Sequence, residues 1–341
     1  MQETKPAARM ASADMIKVLA ILAVVFIHGS WLLPFSPTRL DFTTAQINLF
    51  SQGFRFCVPV FIFLWAYFME KSFIKRGKSN VWTRFYQLFI PFVFWSVIYF
   101  LLTADFKQLS IASIITKYWL GFGWSGQYYF IILFQLILLF PFIRLLSIKL
   151  SRFLPAIYLL SLLLFILLAY STWFQHSAIG KMSHRPFFYW LPYTILGIIA
   201  AHKKIFKFPL PLPIGIFSIV LVPLEIFFLH PQTVSAYILP SIYISTMLII
   251  SSIESVPGST GIKTRYADFI TTIAGLTLGI FCLNPLVVIT LNPLLKTQGL
   301  LFSFPGCSVI LPLLSTFLIT GICILLIFLL KRIKLGFLVS T

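Results

Sequence analysis

Apolar stretches of about twenty residues, separated by short polar turns, recur from one end of this chain to the other. A bilayer's hydrocarbon core is about 30 Å thick and takes about 20 helical residues to cross, so each stretch predicts a transmembrane helix. The pattern predicts ten, over about 15–34, 49–70, 85–103, 127–147, 154–174, 187–201, 209–229, 235–253, 269–291 and 306–330. No polar segment between them is long enough to bury a soluble core of its own. The expected fold is all-α: a polytopic membrane helix bundle in which 1–341 form one domain, with short tails over 1–14 and 331–341.

Local signals refine the pattern. The sixth helix is short, opens at Pro186 and carries Pro192, which makes it easy to kink. The run Phe208-Pro-Leu-Pro-Leu-Pro213 is a proline-rich lead into the seventh. Residues 254–268, with Pro257, Gly258 and Gly261, read as a flexible loop. The segment 104–126 holds enough apolar residues to lie in the membrane interface as an amphipathic piece. The first helix ends at Leu33-Pro34, and a short loop with Asp41 follows. The polar N-terminus leads into a full span with no small-residue cleavage site, which reads as an uncleaved first helix.

Composition agrees with this picture: 59% of the 341 residues are hydrophobic, 10% are charged, and 38 are Phe. The net charge of +18 raises the question of nucleic acid, and its distribution answers it. Of the 26 Lys and Arg, eighteen fall on the side of the two termini, from Lys5 and Arg9 to Lys331, Arg332 and Lys334. Six (Arg39, Lys107, Lys117, Lys181, Arg185 and Lys296) fall on the other side, and Lys17 and Arg55 lie inside spans. The positive-inside rule then makes both termini cytoplasmic, and attraction to anionic lipid accounts for the excess charge. No basic-aromatic soluble face points to DNA or RNA. Cys57, Cys282, Cys307 and Cys323 lie in or beside spans without a CxxC pair, as buried free thiols do, and no metal site is expected.

Ionisable residues inside hydrocarbon are costly and mark candidate sites. Lys17 and His28 stand eleven residues apart in the first helix, roughly 16 Å of rise, on azimuths that agree to about 20°. Arg55 lies about as far from the outer boundary of the second helix as His28 does from that of the first, roughly 9 Å. A cation beside an imidazole disfavours its protonation and keeps it ready to take a hydroxyl proton; the same guanidinium suits an oxyanion or phosphate. Spacing alone leaves a plainer alternative open, in which His28 hydrogen-bonds between helices and Arg55 snorkels outward. Among eight carboxylates only Glu225 is expected well inside a span, which speaks against a proton-driven transporter. His176 and His184 read as solvated loop residues, His202 as facing headgroups, and His230 as part of an outer turn. Trp119, Trp124, Trp173 and Trp190 read as interface anchors.

Asp14-x-x-Lys17-x₁₀-His28, followed by Arg55-Phe56-Cys57-Val58-Pro59-Val60-Phe61-Ile62-Phe63, resembles the acyltransferase 3 family. Its members are integral-membrane acyltransferases that modify sugars of bacterial surface glycans, lipids and antibiotics. Gln127-Tyr128-Tyr129-Phe130-Ile131-Ile132-Leu133 is similar to the family's H-L-W-F-L helix. Tyr189-Trp190-Leu191-Pro192-Tyr193-Thr194-Ile195-Leu196-Gly197 and Leu278-Gly279-Ile280-Phe281-Cys282-Leu283-Asn284-Pro285 resemble later family segments. The chain departs from the pattern at Lys17, where arginine is commoner, and at Trp65-Ala66-Tyr67, where the family usually has a small Ser-Gly step. Asn284 and Gln127 stand where many members carry further histidines.

The resemblance implies transfer of an acyl group, acetyl above all, from acyl-CoA as co-substrate to a hydroxyl of a sugar or lipid-linked glycan in a bacterial-type inner membrane. It implies His28 as the catalytic base and Arg55 as the stabiliser of developing negative charge. Lys17, oriented by Asp14, would meet the CoA phosphates with help from the basic loop 71–78. It also implies that Gln127, Tyr128 and Asn284 bind substrate. The rival reading from another class is a transporter or flippase for an anionic or lipid-linked sugar, and a third is a noncatalytic family-derived membrane protein.

Overall fold

The computed structural model describes residues 11–29, 49–77, 81–104, 110–119, 121–177, 180, 182–203, 205, 210–231, 235–254, 264–296 and 307–339. All regular structure among them is helical, with no strand. The principal helices are α1 (Ala11–Gly29), α2 (Cys57–Arg76), α3 (Val81–Thr103), α4 (Gln127–Leu150), α5 (Leu154–Tyr170) and α6 (Leu191–His202). They continue as α7 (Leu212–Phe217), α8 (Leu221–Leu229), α9 (Pro240–Glu254), α10 (Thr264–Ala274), α11 (Thr277–Lys296) and α12 (Cys307–Arg332). The expected loop carrying Asp41, residues 255–263 and the first ten residues lie outside the described set.

Each expected apolar stretch is helical where it is described. By length and composition, however, six helices among the described residues suffice to cross a membrane, or seven if α10 and α11, bent by 65° at Gly275-Leu276, count as one span. The difference has three sources. Gln127–Tyr170 forms one 44-residue apolar run. At about 1.5 Å per residue that is about twice the hydrocarbon thickness, where the sequence pattern expects two spans. Phe187–His202 and Pro240–Ser252 are apolar but short. The ninth expected span is the bent pair.

The first helix of the chain is the centre of the bundle. It packs against α2, α10, α11 and α12, and Ala20, Ile21 and Val25 are fully enclosed. In lipid the hydrophobic effect does not drive helices together, so close backbone approach and van der Waals fit must do so. Gly197 of α6 shows this: a Cβ there would lie 2.4 Å from the carbonyl oxygen of Phe63 in α2. The periphery is the reverse of a soluble surface, with Val97 and Leu101 of α3, Leu159 and Leu163 of α5, Phe227 of α8, and Phe317 and Leu325 of α12 exposed. These are lipid-facing positions.

One expectation about charged residues is corrected here. Glu70 is completely buried and held from both sides, by Arg144 Nε and by His202 Nε2, each at 2.7 Å. Glu225 is therefore not the only interior carboxylate, and His202, while its side chain stays exposed, also bonds to Glu70. The reason is geometric: α2 runs on to Arg76, past the expected end at 70, so Glu70 lies inside the helix and against Arg144 of α4, where a charge must be paired. The cluster ties α2, α4 and α6 together. Glu225 is itself buried and accepts from Tyr170 Oη at 2.6 Å and Ser241 N at 2.8 Å. Among the tryptophans, Trp173 is exposed, whereas Trp124 and Trp190 are buried in the core.

Candidate functional site

The site begins with a proline. Pro285 has no N–H, so the carbonyl of Phe281, four residues earlier in α11, loses its usual helical donor. Asn284 Nδ2 takes up that role, donating to Phe281 O at 2.8 Å and to Ile280 O at 2.9 Å. With the amide nitrogen committed, Asn284 Oδ1 is the atom that faces α1, and it meets His28 Nδ1 in a very short hydrogen bond. Nδ1 is therefore the protonated nitrogen, and Nε2 keeps its lone pair. That lone pair accepts from the hydroxyl of Ser125, at 3.0 Å.

Ser125 reaches this position through the segment that precedes α4. Ile111, Ile115 and Phe122 of the expected interfacial segment are exposed, but its end at Trp124 folds into the bundle. Trp124 stacks on Tyr99 with ring centroids 4.9 Å apart, and its Nε1 donates to Ser96 Oγ at 3.4 Å. Gly126 then turns the chain into α4 with φ of 96°, and a Cβ there would lie 2.8 Å from the Phe281 ring, so glycine is needed twice over. Gln127 is fully buried, with both ends of its amide in use. Its Oε1 accepts from Gly123 N at 2.7 Å, and its Nε2 donates to Ser96 Oγ at 2.8 Å. Its place is under the turn that presents Ser125.

Arg55 sits in a short 3₁₀ turn, Phe54–Phe56, where its Nε donates to Gln52 at 2.6 Å and its guanidinium lies 4.9 Å from the centre of the Tyr237 ring. Tyr128 donates to Tyr237 Oη at 2.7 Å. Between these two tyrosines lies His184, its ring 4.5 Å from that of Tyr128 and 4.8 Å from that of Tyr237. His184 Nδ1 meets Ser235 Oγ at 2.8 Å, and its Nε2 is shielded with no hydrogen-bond partner. This corrects the expectation of a solvated loop histidine. Burial, with Arg185 and Arg55 nearby, pushes its pKa down to about 3. Arg55 thus belongs to an aromatic cluster with a neutral imidazole, within electrostatic reach of His28 and making no direct bond to it.

At the other end of α1, Lys17 pairs with Asp14 at 3.4 Å, and Asp14 also accepts from Thr271 of α10 at 3.1 Å. The Lys17 ammonium lies 4.5 Å from the centre of the Phe68 ring. A cavity of about 150 Å³ lies between the two levels, lined by Phe61 and Trp65 of α2, Leu88 of α3, Tyr129 and Leu133 of α4, and Thr277, Leu278 and Phe281 of α11. Phe281 is less than one turn from Asn284, and Trp65 is three residues from Phe68, so the cavity occupies the stretch between His28 and Lys17. The Trp65 indole N–H is buried without a partner. A larger groove of about 430 Å³, lined by Phe89, Val93, Val97, Phe100 and Ile115 with Ser96 and Tyr118, is mostly apolar and holds no titratable group besides the Tyr118 phenol.

Sequence reasoning therefore named the residues at both ends of α1 and missed Ser125 and His184. The three glycines in Gly121-Phe-Gly-Trp-Ser-Gly126 were a usable signal for a turn that approaches other backbone closely. His184 gave none, because Tyr128, Ser235 and Tyr237 around it lie more than fifty positions away. Cys57, Cys282 and Cys323 are buried and free. Among the described residues no group of His, Cys, Asp and Glu is placed to hold a metal ion.

An apolar-surfaced helical bundle with a polar site enclosed around its central helix defines an integral membrane protein with an internal reaction or binding site. The family model described as an acyltransferase domain, that of the acyltransferase 3 family, matches residues 10–332, and the chain belongs to that family. Membership makes it, in general terms, a membrane acyltransferase. No curated protein and no solved structure matches the chain.

Proposed function

We propose that the protein is an O-acyltransferase of a bacterial-type cytoplasmic membrane, moving an acetyl or other acyl group from acyl-CoA to a hydroxyl of a sugar or lipid-linked surface glycan. The observation that carries the reading is the state of His28: its Nδ1 proton is held by Asn284, and its Nε2 lone pair already receives a hydroxyl proton donor. A base so oriented takes the proton of an attacking hydroxyl as the new C–O bond forms, and returns it to the CoA sulfur as the C–S bond breaks. The products are an ester and free CoA.

Lys17, partly exposed and steered by Asp14, is suited to the phosphates of the donor. The cavity beyond it offers apolar walls and one unpaired N–H, which match a slender chain interrupted by amide carbonyls such as the arm of CoA. In this reading Tyr128 and Arg55 stand toward the acceptor side. The ten-span topology, with both termini cytoplasmic, follows from the charge asymmetry, and it lets the donor arrive at Lys17 from the cytosol.

The test is acyl transfer from acetyl-CoA by purified, detergent-solubilised protein. His28→Ala lowers turnover by roughly 10²-fold or more, and His28→Gln fails equally, because an amide hydrogen-bonds but does not take up a full proton. Turnover near wild type in His28→Gln would instead favour transport of an anionic or lipid-linked sugar.

A further inference from the structure

Ser125, His28 and Asn284 form a chain of hydroxyl, imidazole and amide carbonyl drawn from three separate parts of the sequence. The acceptor-activation reading above needs the last two members and leaves Ser125 unexplained. A hydroxyl 3.0 Å from the unprotonated nitrogen of a histidine whose other nitrogen is fixed by a third residue is the arrangement of an activated nucleophile. The same logic operates with serine or cysteine, histidine, and aspartate or asparagine on unrelated folds.

The local structure favours attack by this oxygen. Ser125 is exposed, whereas its neighbours Trp124, Gly126 and Gln127 are buried, so the turn raises this one side chain out of a rigid base. The base is held by the Gln127 and Trp124 bonds to Ser96, and Gly126 provides the sharp backbone turn. Gly126, next to Ser125, packs on the Phe281 ring that lines the cavity, so the Ser125 hydroxyl stands near the end of the donor's path. A group transferred to it occupies an accessible position.

We infer that Ser125 is a covalent carrier, and that the protein works by double displacement; the inference rests on the acyltransferase reading of the His28 site. In the first half, Ser125 Oγ attacks the thioester carbonyl carbon while its proton passes to His28 Nε2. The C–S bond breaks, and His28 returns the proton to the sulfur, releasing CoA as the thiol. In the second half, the acceptor hydroxyl gives its proton to His28 Nε2 and attacks the seryl ester carbonyl. The ester C–O bond to Ser125 breaks, Ser125 Oγ recovers the proton from His28, and the acylated acceptor leaves. No further reactant is needed.

The experiment incubates the full-length, detergent-solubilised protein with isotopically labelled acetyl-CoA and no acceptor, followed by intact-mass measurement and peptide mapping. One acetyl group per chain on Ser125 is expected, together with parallel double-reciprocal plots when both substrates are varied. The label is absent from Ser125→Ala and from His28→Ala. Ser125→Cys captures the group as a thioester released by neutral hydroxylamine. Ser125→Ala loses transfer by at least about 10²-fold, and because the side chain is exposed its melting temperature stays at the wild-type value. Ser125→Ala that transfers within a few-fold of wild type, with intersecting plots, overturns the covalent carrier and leaves His28 as the base of a direct transfer. A wild-type protein that neither acquires label nor transfers acetyl in the presence of glycan acceptors overturns the acyltransferase reading itself.

Discussion

Asn284 fixes which nitrogen of His28 carries the proton, and it can do so because the next residue is a proline. Remove the amide and His28 loses the acceptor that holds Nδ1–H, so the ring is free to turn or to take the other tautomer. Asn284→Ala is expected to lower acyl-transfer kcat by about 10- to 100-fold with little change in either KM, measured at matched protein abundance. Asn284→Asp keeps an acceptor and retains more activity than Asn284→Ala. Equal rates for Asn284→Ala and wild type would show that His28 needs no orienting partner.

Lys17 is expected to tolerate arginine and not alanine. The charge, carried on a side chain that lies against Phe68 and Asp14, is what an anionic donor would meet. Lys17→Arg retains most activity, whereas Lys17→Ala raises the donor KM several-fold or more and leaves the acceptor KM alone. Identical donor dependence in wild type and Lys17→Ala would remove Lys17 from the donor site.

His184 makes stability depend on pH in a defined direction. Its folded-state pKa of about 3 lies below the usual histidine value of about 6.5, so between these limits the unfolded chain binds the extra proton. Its contribution to stability is complete above about pH 6.5 and is lost as pH falls toward 3. Melting curves between about pH 4.5 and 7.5 should therefore fall more steeply for wild type than for His184→Gln, which has no proton to gain. Parallel curves would mean that the imidazole is solvated after all.

Sidedness is open to direct labelling. Cysteines introduced after Ser79 and after Ser177 are expected to react with impermeant reagents from opposite faces of the membrane, because the proposed ten-span topology puts these positions on opposite sides. Labelling from one face would end the ten-span topology.

The sequence showed the class of fold because membrane spans write themselves as composition, and it showed Lys17 and His28 because charge in hydrocarbon is rare. Their partners were harder to read, since they depend on which helices become neighbours. Asn284 drew notice only through the resemblance, and its use of the carbonyl freed by Pro285 needed coordinates. Glu70 was misread because its helix runs more than a turn past the expected end, to Arg76. Trp124 was misread because an apolar segment beside a span looks the same whether it lies in the interface or tucks into the bundle. Ser125 carries no marking of its own; its place follows from the turn at Gly126 and the packing of Trp124.

The central position of α1 bears on the order of biosynthesis. It is made before the other described helices, yet the residue that fixes His28 lies 256 positions later, and α10, α11 and α12, which enclose it, follow the other nine in the chain. Until they arrive, Lys17 and His28 sit on a helix whose final neighbours do not yet exist, so the polar stripe must wait in lipid or under temporary cover. Chains released before α11 would carry an unburied stripe and no site, so completion of the site waits on the segment from Thr264 to Arg332.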